Sequence, residues 1–241
     1  MLSLLTVVTT AVVAVVVVMV RDMARTPTAA SPAALAGTAR PVSGSTPSGP
    51  AQHGASAQPA SPVSHPLVTD TSDGLSYRLL PSPWRPGCPS VLDTPMFSWS
   101  AGEQAVAGQV SIGGSTINWH GLACSGQLEQ QFQYSGPADL EPTAVGLVGA
   151  LDPAYYSGLQ HYRTLEASYP TQVSGHPAWV VRFLMTYPDA AGEGLAWTSE
   201  AGAVMLVDRG AGQAPAIFYV SVPSNLGTSS VSLLVSSLHL A

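Results

Sequence analysis

The sequence contains no lysine, and charged residues make up only 9% of it. Its basic side chains are eight arginines. From Leu67 onward thirteen acidic residues stand against five arginines. A domain with that balance repels phosphate backbones, which excludes nucleic acid as a partner. Neither asparagine lies in an Asn-x-Ser/Thr sequon, so N-linked glycosylation is excluded too. There are two cysteines, Cys88 and Cys124, with no Cys-x-x-Cys and no paired-histidine motif, which argues against a zinc or dithiol redox site. His120, His161, His176 and His239 are scattered, without His-x-His or His-Glu-x-x-His spacing. Gly-x-Ser-x-Gly is missing as well, since "GGST" at residues 113–116 lacks the second glycine. "GLVGAL" falls inside a helical pattern and has no strand before it, so it is no nucleotide-binding fingerprint. No catalytic residue, metal ligand or cofactor is therefore assigned.

Three compositional zones are present. Residues 1–20, "MLSLLTVVTTAVVAVVVVMV", are apolar apart from a few hydroxyls. As a helix they would span about 30 Å, the thickness of a bilayer's hydrocarbon core. The run is long for a signal peptide and lacks a basic leader, so an uncleaved single-span anchor is favoured over a cleaved signal. Residues 21–66 are rich in Ala, Pro, Ser and Thr and have almost no large apolar side chains, which predicts a disordered linker. As a flexible coil it would reach roughly 35–40 Å. Residues 67–241 are long enough to form one domain with its own core. Arg21 and Arg25 follow the apolar run and would hold the domain inside by the positive-inside rule. The cysteines and the Pro/Ser/Thr stalk argue for the outside, and an extracytoplasmic domain on a single-pass anchor is the expectation.

Both cysteines sit beside turn-forming residues, in "RPGCPS" and "GLACSGQ". A Cys88–Cys124 bridge would contribute about 3.8 kcal/mol in the chain-entropy model. In an oxidising compartment a structural disulfide is the expected pairing.

Within the domain, "LSYRLL" (75–80) reads as a short strand, and residues 96–114 and 117–136 as strands broken by glycine turns. Residues 138–165 carry two helix-start signals, Asp139 before Pro142 and Asp152 before Pro153. Ala144, Leu147, Val148 and Leu151 form one apolar face, and Tyr155, Leu159 and Tyr162 a second. The second helix would contain His161. "AWVVRFLMTY" (178–187) is largely apolar on both faces, the mark of a central strand covered on both sides. Two further strands, 202–210 and 215–223, are joined by "RGAGQA". A final helix carries Val231, Leu234, Val235 and Leu238, with His239 near its end. The fold class is α+β: an antiparallel β-sheet flanked by amphipathic helices, preceded by a transmembrane helix and a disordered linker.

The tail "VSGHPAWVVRF", "VMLVDRG", "IFYVSVP" and the closing amphipathic helix resemble the PsbP-like fold over about residues 139–241. The likeness extends to actinobacterial secreted and lipoprotein members related to the alanine- and proline-rich antigens. Absence of lysine and heavy Ala, Gly, Pro and Val use suit such a high-GC source. The resemblance implies a non-enzymatic envelope or adaptor domain and carries no site residue with it.

Candidate chemistry is sparse. His176 lies in a Gly-His-Pro stretch that reads as a hairpin bend rather than a catalytic lip. Glu193 and Glu200 flank "GLAWTS" beside Trp197 and are the one carboxylate pair suited to glycoside chemistry. Trp119 and His120, near Cys124, are the possible binding groove. The reading is a non-catalytic binding or adaptor domain, held to the membrane by residues 1–20 and meeting an envelope protein or cell-wall component. A cell-wall hydrolase with an unrecognised site and a lipid or small-molecule binding domain are the alternatives.

Overall fold

The structure is a computed structural model and describes residues 66–241. The anchor at 1–20 and the linker up to residue 65 lie outside the described residues. In chain order the elements are β1 (Leu67–Thr69), β2 (Leu75–Arg78), β3 (Arg85–Pro86), β4 (Ala101–Ile112), β5 (Ser115–Gln127), α1 (Leu140–Leu151), β6 (Tyr162–Val173), β7 (His176–Thr186), β8 (Ser199–Val207), β9 (Ala216–Pro223), α2 (Ser230–Ser236) and β10 (His239–Leu240). The main sheet runs β3-β4-β5-β9-β8-β7-β6, and a small sheet runs β1-β2-β10. Every pairing is antiparallel. No helix among the described residues is long and apolar enough to cross a membrane.

Two tight turns fix the long hairpins. Gly113 and Gly114, at φ +59° and +81°, join β4 to β5 between the paired Ile112 and Ser115. Ser174 and Gly175, at φ +51° and +85°, join β6 to β7 between Val173 and His176. Positive φ at both central residues is the turn whose twist matches antiparallel strands. The hairpin bend read at "SGHP" is present, and His176 is the first residue of the strand that leaves it.

β7 lies between β6 and β8 and is covered on both faces, as its two-sided apolar pattern requires. Val181, Phe183 and Met185 face the layer of α1, where Leu147, Leu151, Trp197 and Tyr219 close one core. Val180 points the other way, to a second core with Phe218, Val220, Val231, Leu234 and the small sheet's Leu75 and Tyr77. Gly202 stands opposite Phe183, where an added Cβ would lie 2.3 Å from the ring. The glycine makes room for the aromatic.

Cys88 and Cys124 are bonded, with Cα atoms 5.9 Å apart. Gly102, paired with Cys124, lies against the bridge, and a Cβ there would come within 2.9 Å of Cys88 Cβ. Three carboxyl groups are buried near the small sheet. Asp70 accepts hydrogen bonds from the hydroxyls of Ser72, Ser100 and Ser125. Burial opposes its charge, but these donors outweigh burial and hold its pKa below the ordinary value. Burial pushes Asp73 up to about 7. Glu103, fully buried, accepts the Leu80 amide at 2.8 Å and is also pushed up to about 7 by burial.

Two expectations are corrected. The second helix over "DPAYYSGLQHYRTL" does not form: α1 runs on into one wide turn at Asp152–Tyr156, and β6 begins at Tyr162. Gly158 lies against Ile112, with room for no side chain, and Asp152 accepts His161 Nε2 and Arg163 Nη1, each at 2.9 Å. These contacts turn the chain back to the sheet and place His161 outside any helix. α2 likewise ends at Ser236, so His239 belongs to β10, paired with Ser76 of β2.

Candidate functional site: the face around helix α2

Helix α2 has the sequence "SVSLLVS" and no charge. Val231 and Leu234 are buried against the sheet, while Ser232, Leu233 and Ser236 stay exposed. A hollow of about 340 Å³ opens on one side, with a floor that includes Val180 and Met205 and a rim of Tyr169, Arg182 and Ser232. The antiparallel register puts Tyr169 opposite Val180 and Ala167 opposite Arg182, so this row of β6 faces the α2 side. Tyr169 is 38% exposed and Tyr162, further along the row, 62%. Arg182 is half-buried and donates from Nη1 to Ser232 Oγ at 3.2 Å. A second hollow, of about 400 Å³, is lined by Leu67, Arg78, Leu233 and His239 on the other side of the helix. Both hollows are bordered by Ser236, so they adjoin at the carboxyl end of the helix.

β6 is the free edge of the main sheet, yet its edge is poorly suited to accept another strand. Pro170 removes one amide donor, and the register shifts between Leu165 and Ala167. Arg163 and Glu166 add charge. Such features block strand addition. The hollow beside α2, rather than the edge, is what this region offers.

A second constellation is closed inside the molecule. The Glu200 carboxylate, 2% exposed, accepts Trp119 Nε1 at 3.0 Å, the Tyr187 hydroxyl at 2.9 Å and the Ser221 hydroxyl. Tyr156 extends the chain of hydroxyls, lying 2.7 Å from both Tyr219 and Ser221. Burial raises the Glu200 pKa, opposed by the donors from Ser221, Trp119 and Tyr187. Burial and the neighbouring carboxylate raise Tyr187 and Tyr156 too. Groups so enclosed meet no substrate; they act together to fix the packing of β5, β8 and β9 beneath the wide turn.

The sequence candidates fall as follows. Trp119 is buried, with its indole N–H committed to Glu200. His120, the next residue along β5, is half-buried, and burial lowers its pKa. Successive strand residues alternate between faces, so the two do not converge. Glu193 is exposed in a turn while Glu200 is buried, and the pair faces no common cleft. Trp197 stacks on Trp119 with centroids 6.0 Å apart inside the core, where no sugar ring can reach it. His176 Nδ1 pairs with the Asp208 carbonyl at 3.1 Å. No group of three or more His, Cys, Asp or Glu side chains placed to hold a metal occurs among the described residues. The hollows beside α2 were not read from sequence; the signal was Arg182, the one arginine in a largely apolar central strand.

No protein-family model matches the chain, and no curated protein matches it. Among solved structures the chain is similar to the solution structure of cyanobacterial PsbP from Synechocystis sp. PCC 6803. The identity is 9% and the TM-score 0.44, over 76% of this chain and 98% of that one. The likeness concerns fold alone, and no residue role or partner is taken from it.

Proposed function

We propose that the chain is a membrane-anchored extracytoplasmic domain that binds a component of the cell envelope without catalysis. The observation that carries this reading is the hollow between α2 and β6, rimmed by Tyr169 and Arg182 above the buried Val180 and Met205. Exposed aromatic and arginine side chains over apolar surface are the usual anchors of recognition. The apolar segment 1–20 and the linker supply the anchor and its reach, and the Cys88–Cys124 bridge suits an oxidising compartment.

A photo-crosslinking residue placed at Tyr169 tests the reading in intact cells. The expected result is a discrete adduct to an envelope component, absent when the same residue replaces the exposed Val91. Equal, diffuse labelling from both positions would remove the face as a binding surface.

A further inference from the structure

We propose that the face around α2 docks on an anionic phospholipid bilayer, the surface of the membrane that holds the chain. This inference rests on the reading of that face as the binding surface, and four observations carry it.

The first is charge. In a domain with thirteen carboxylates against five arginines, neither hollow is lined by an acidic side chain, yet each contains an arginine and the second adds His239. Among the described residues the ion pairs are the two made by Asp152, so Arg78 and Arg182 have no carboxylate partner. The second is apolar exposure at the same place. Leu67 is 58% exposed and Leu233 37%, both beside Arg78, with Tyr169 across the helix. Leucines and a tyrosine among arginines match the boundary between headgroups and acyl chains.

The third observation is where the chain enters. Leu67, the second of the described residues, is itself a wall of the second hollow, so the amino end of the domain lies on this face. A tethered domain meets its own membrane at high effective concentration, which makes weak docking sufficient. The fourth is the remainder of the surface. Its acidic excess is repelled by an anionic bilayer, which leaves the α2 face as the one to turn toward it. An acidic peptide would satisfy the two arginines, but it would leave unexplained both the exposed leucines and the entry point.

The test uses the full chain reconstituted in vesicles, with an environment-sensitive fluorophore on Ser236→Cys, the position shared by both hollows. In vesicles containing phosphatidylglycerol the emission shifts to the blue; in phosphatidylcholine alone it does not. High salt reverses the shift. An arginine near such a surface contributes roughly five-fold to the docking constant. The Arg78→Gln/Arg182→Gln double variant therefore lowers docking about 25-fold, with unchanged circular dichroism as the folding control. An equal shift in phosphatidylcholine, or one undiminished in the double variant, overturns the proposal. So does displacement by soluble polyglutamate that binds the chain without vesicles, since an acidic peptide is then the occupant. No shift in any vesicle, together with a protein or wall adduct from Tyr169 in cells, removes the bilayer and keeps the binding face. Silence in both experiments removes both.

Discussion

Replacing Glu103 by glutamine should flatten much of the pH dependence of stability. Glu103 lies on β4 with no exposed surface; one carboxyl oxygen holds the Leu80 amide and the other has no partner. Burial pushes its native pKa up to about 7, well above the ordinary value of a glutamate. A carboxyl with a native pKa above its unfolded value binds more protons folded than unfolded. Its stabilising contribution is complete below the unfolded value and is lost as pH climbs through about 7. Between pH 5 and 8 the linkage relation gives a loss of about 2–3 kcal/mol for this group alone. Asp73, also at about 7, adds a loss of similar size and the same sign. Wild type should therefore lose stability steeply over this interval. Glu103→Gln keeps the acceptor for Leu80, cannot ionise, and should lose roughly half as much. Urea unfolding at the two pH values, with the disulfide intact, reads the difference directly. At an m value of about 2 kcal/mol per molar, the wild-type midpoint moves more than the variant's by about 1 M. Parallel shifts in the two proteins would mean that Glu103 is ionised in the native core, and the reasoning would fail.

Glu200→Leu orphans the donors of Trp119, Tyr187 and Ser221 and should cost about 3–5 kcal/mol in denaturant unfolding; a loss under 1 kcal/mol would show that the network does not hold the core. Cys88→Ser/Cys124→Ser should lower stability by up to about 4 kcal/mol. With an impermeant maleimide on intact cells, the wild-type thiols should label only after reduction, whereas labelling only after lysis without reductant would place the domain inside. Gly202→Ala should cost about 1–3 kcal/mol through the collision with Phe183. Phe183→Leu should recover part of that loss in the double variant, and strict additivity of the two changes would deny the contact.

The parts of this fold that were legible in the sequence are those whose burial is one-sided or complete. β7 announces itself because layers cover both of its faces, and α1 because its stripe at Ala144, Leu147, Val148 and Leu151 meets the sheet. β6 escaped notice for the opposite reason. As an edge strand it exposes Tyr162, Leu165 and Tyr169, so no period of two survives. Asp152-Pro153 looks like a helix start, and only the distant contacts of Gly158, His161 and Arg163 convert it to a wide turn. The Glu200 network draws on β5, the turn after α1, the end of β7, β8 and β9, so no local spacing could reveal it. The two cysteines were readable because only one pairing was possible.

The small sheet joins the two ends of the domain. β2 pairs with β1 on one side and with β10 on the other, and the Ala241 amide closes onto the Gly74 carbonyl at 3.0 Å. Some 160 residues of chain separate Ser76 from its partner His239. A chain emerging amino-end first therefore carries Leu75 and Tyr77 uncovered until residues 230–241 arrive, since their cover includes Val231, Leu234 and Leu238. The fold therefore cannot close until residues 230–241 have been made, and their arrival on the small sheet is the step that latches it.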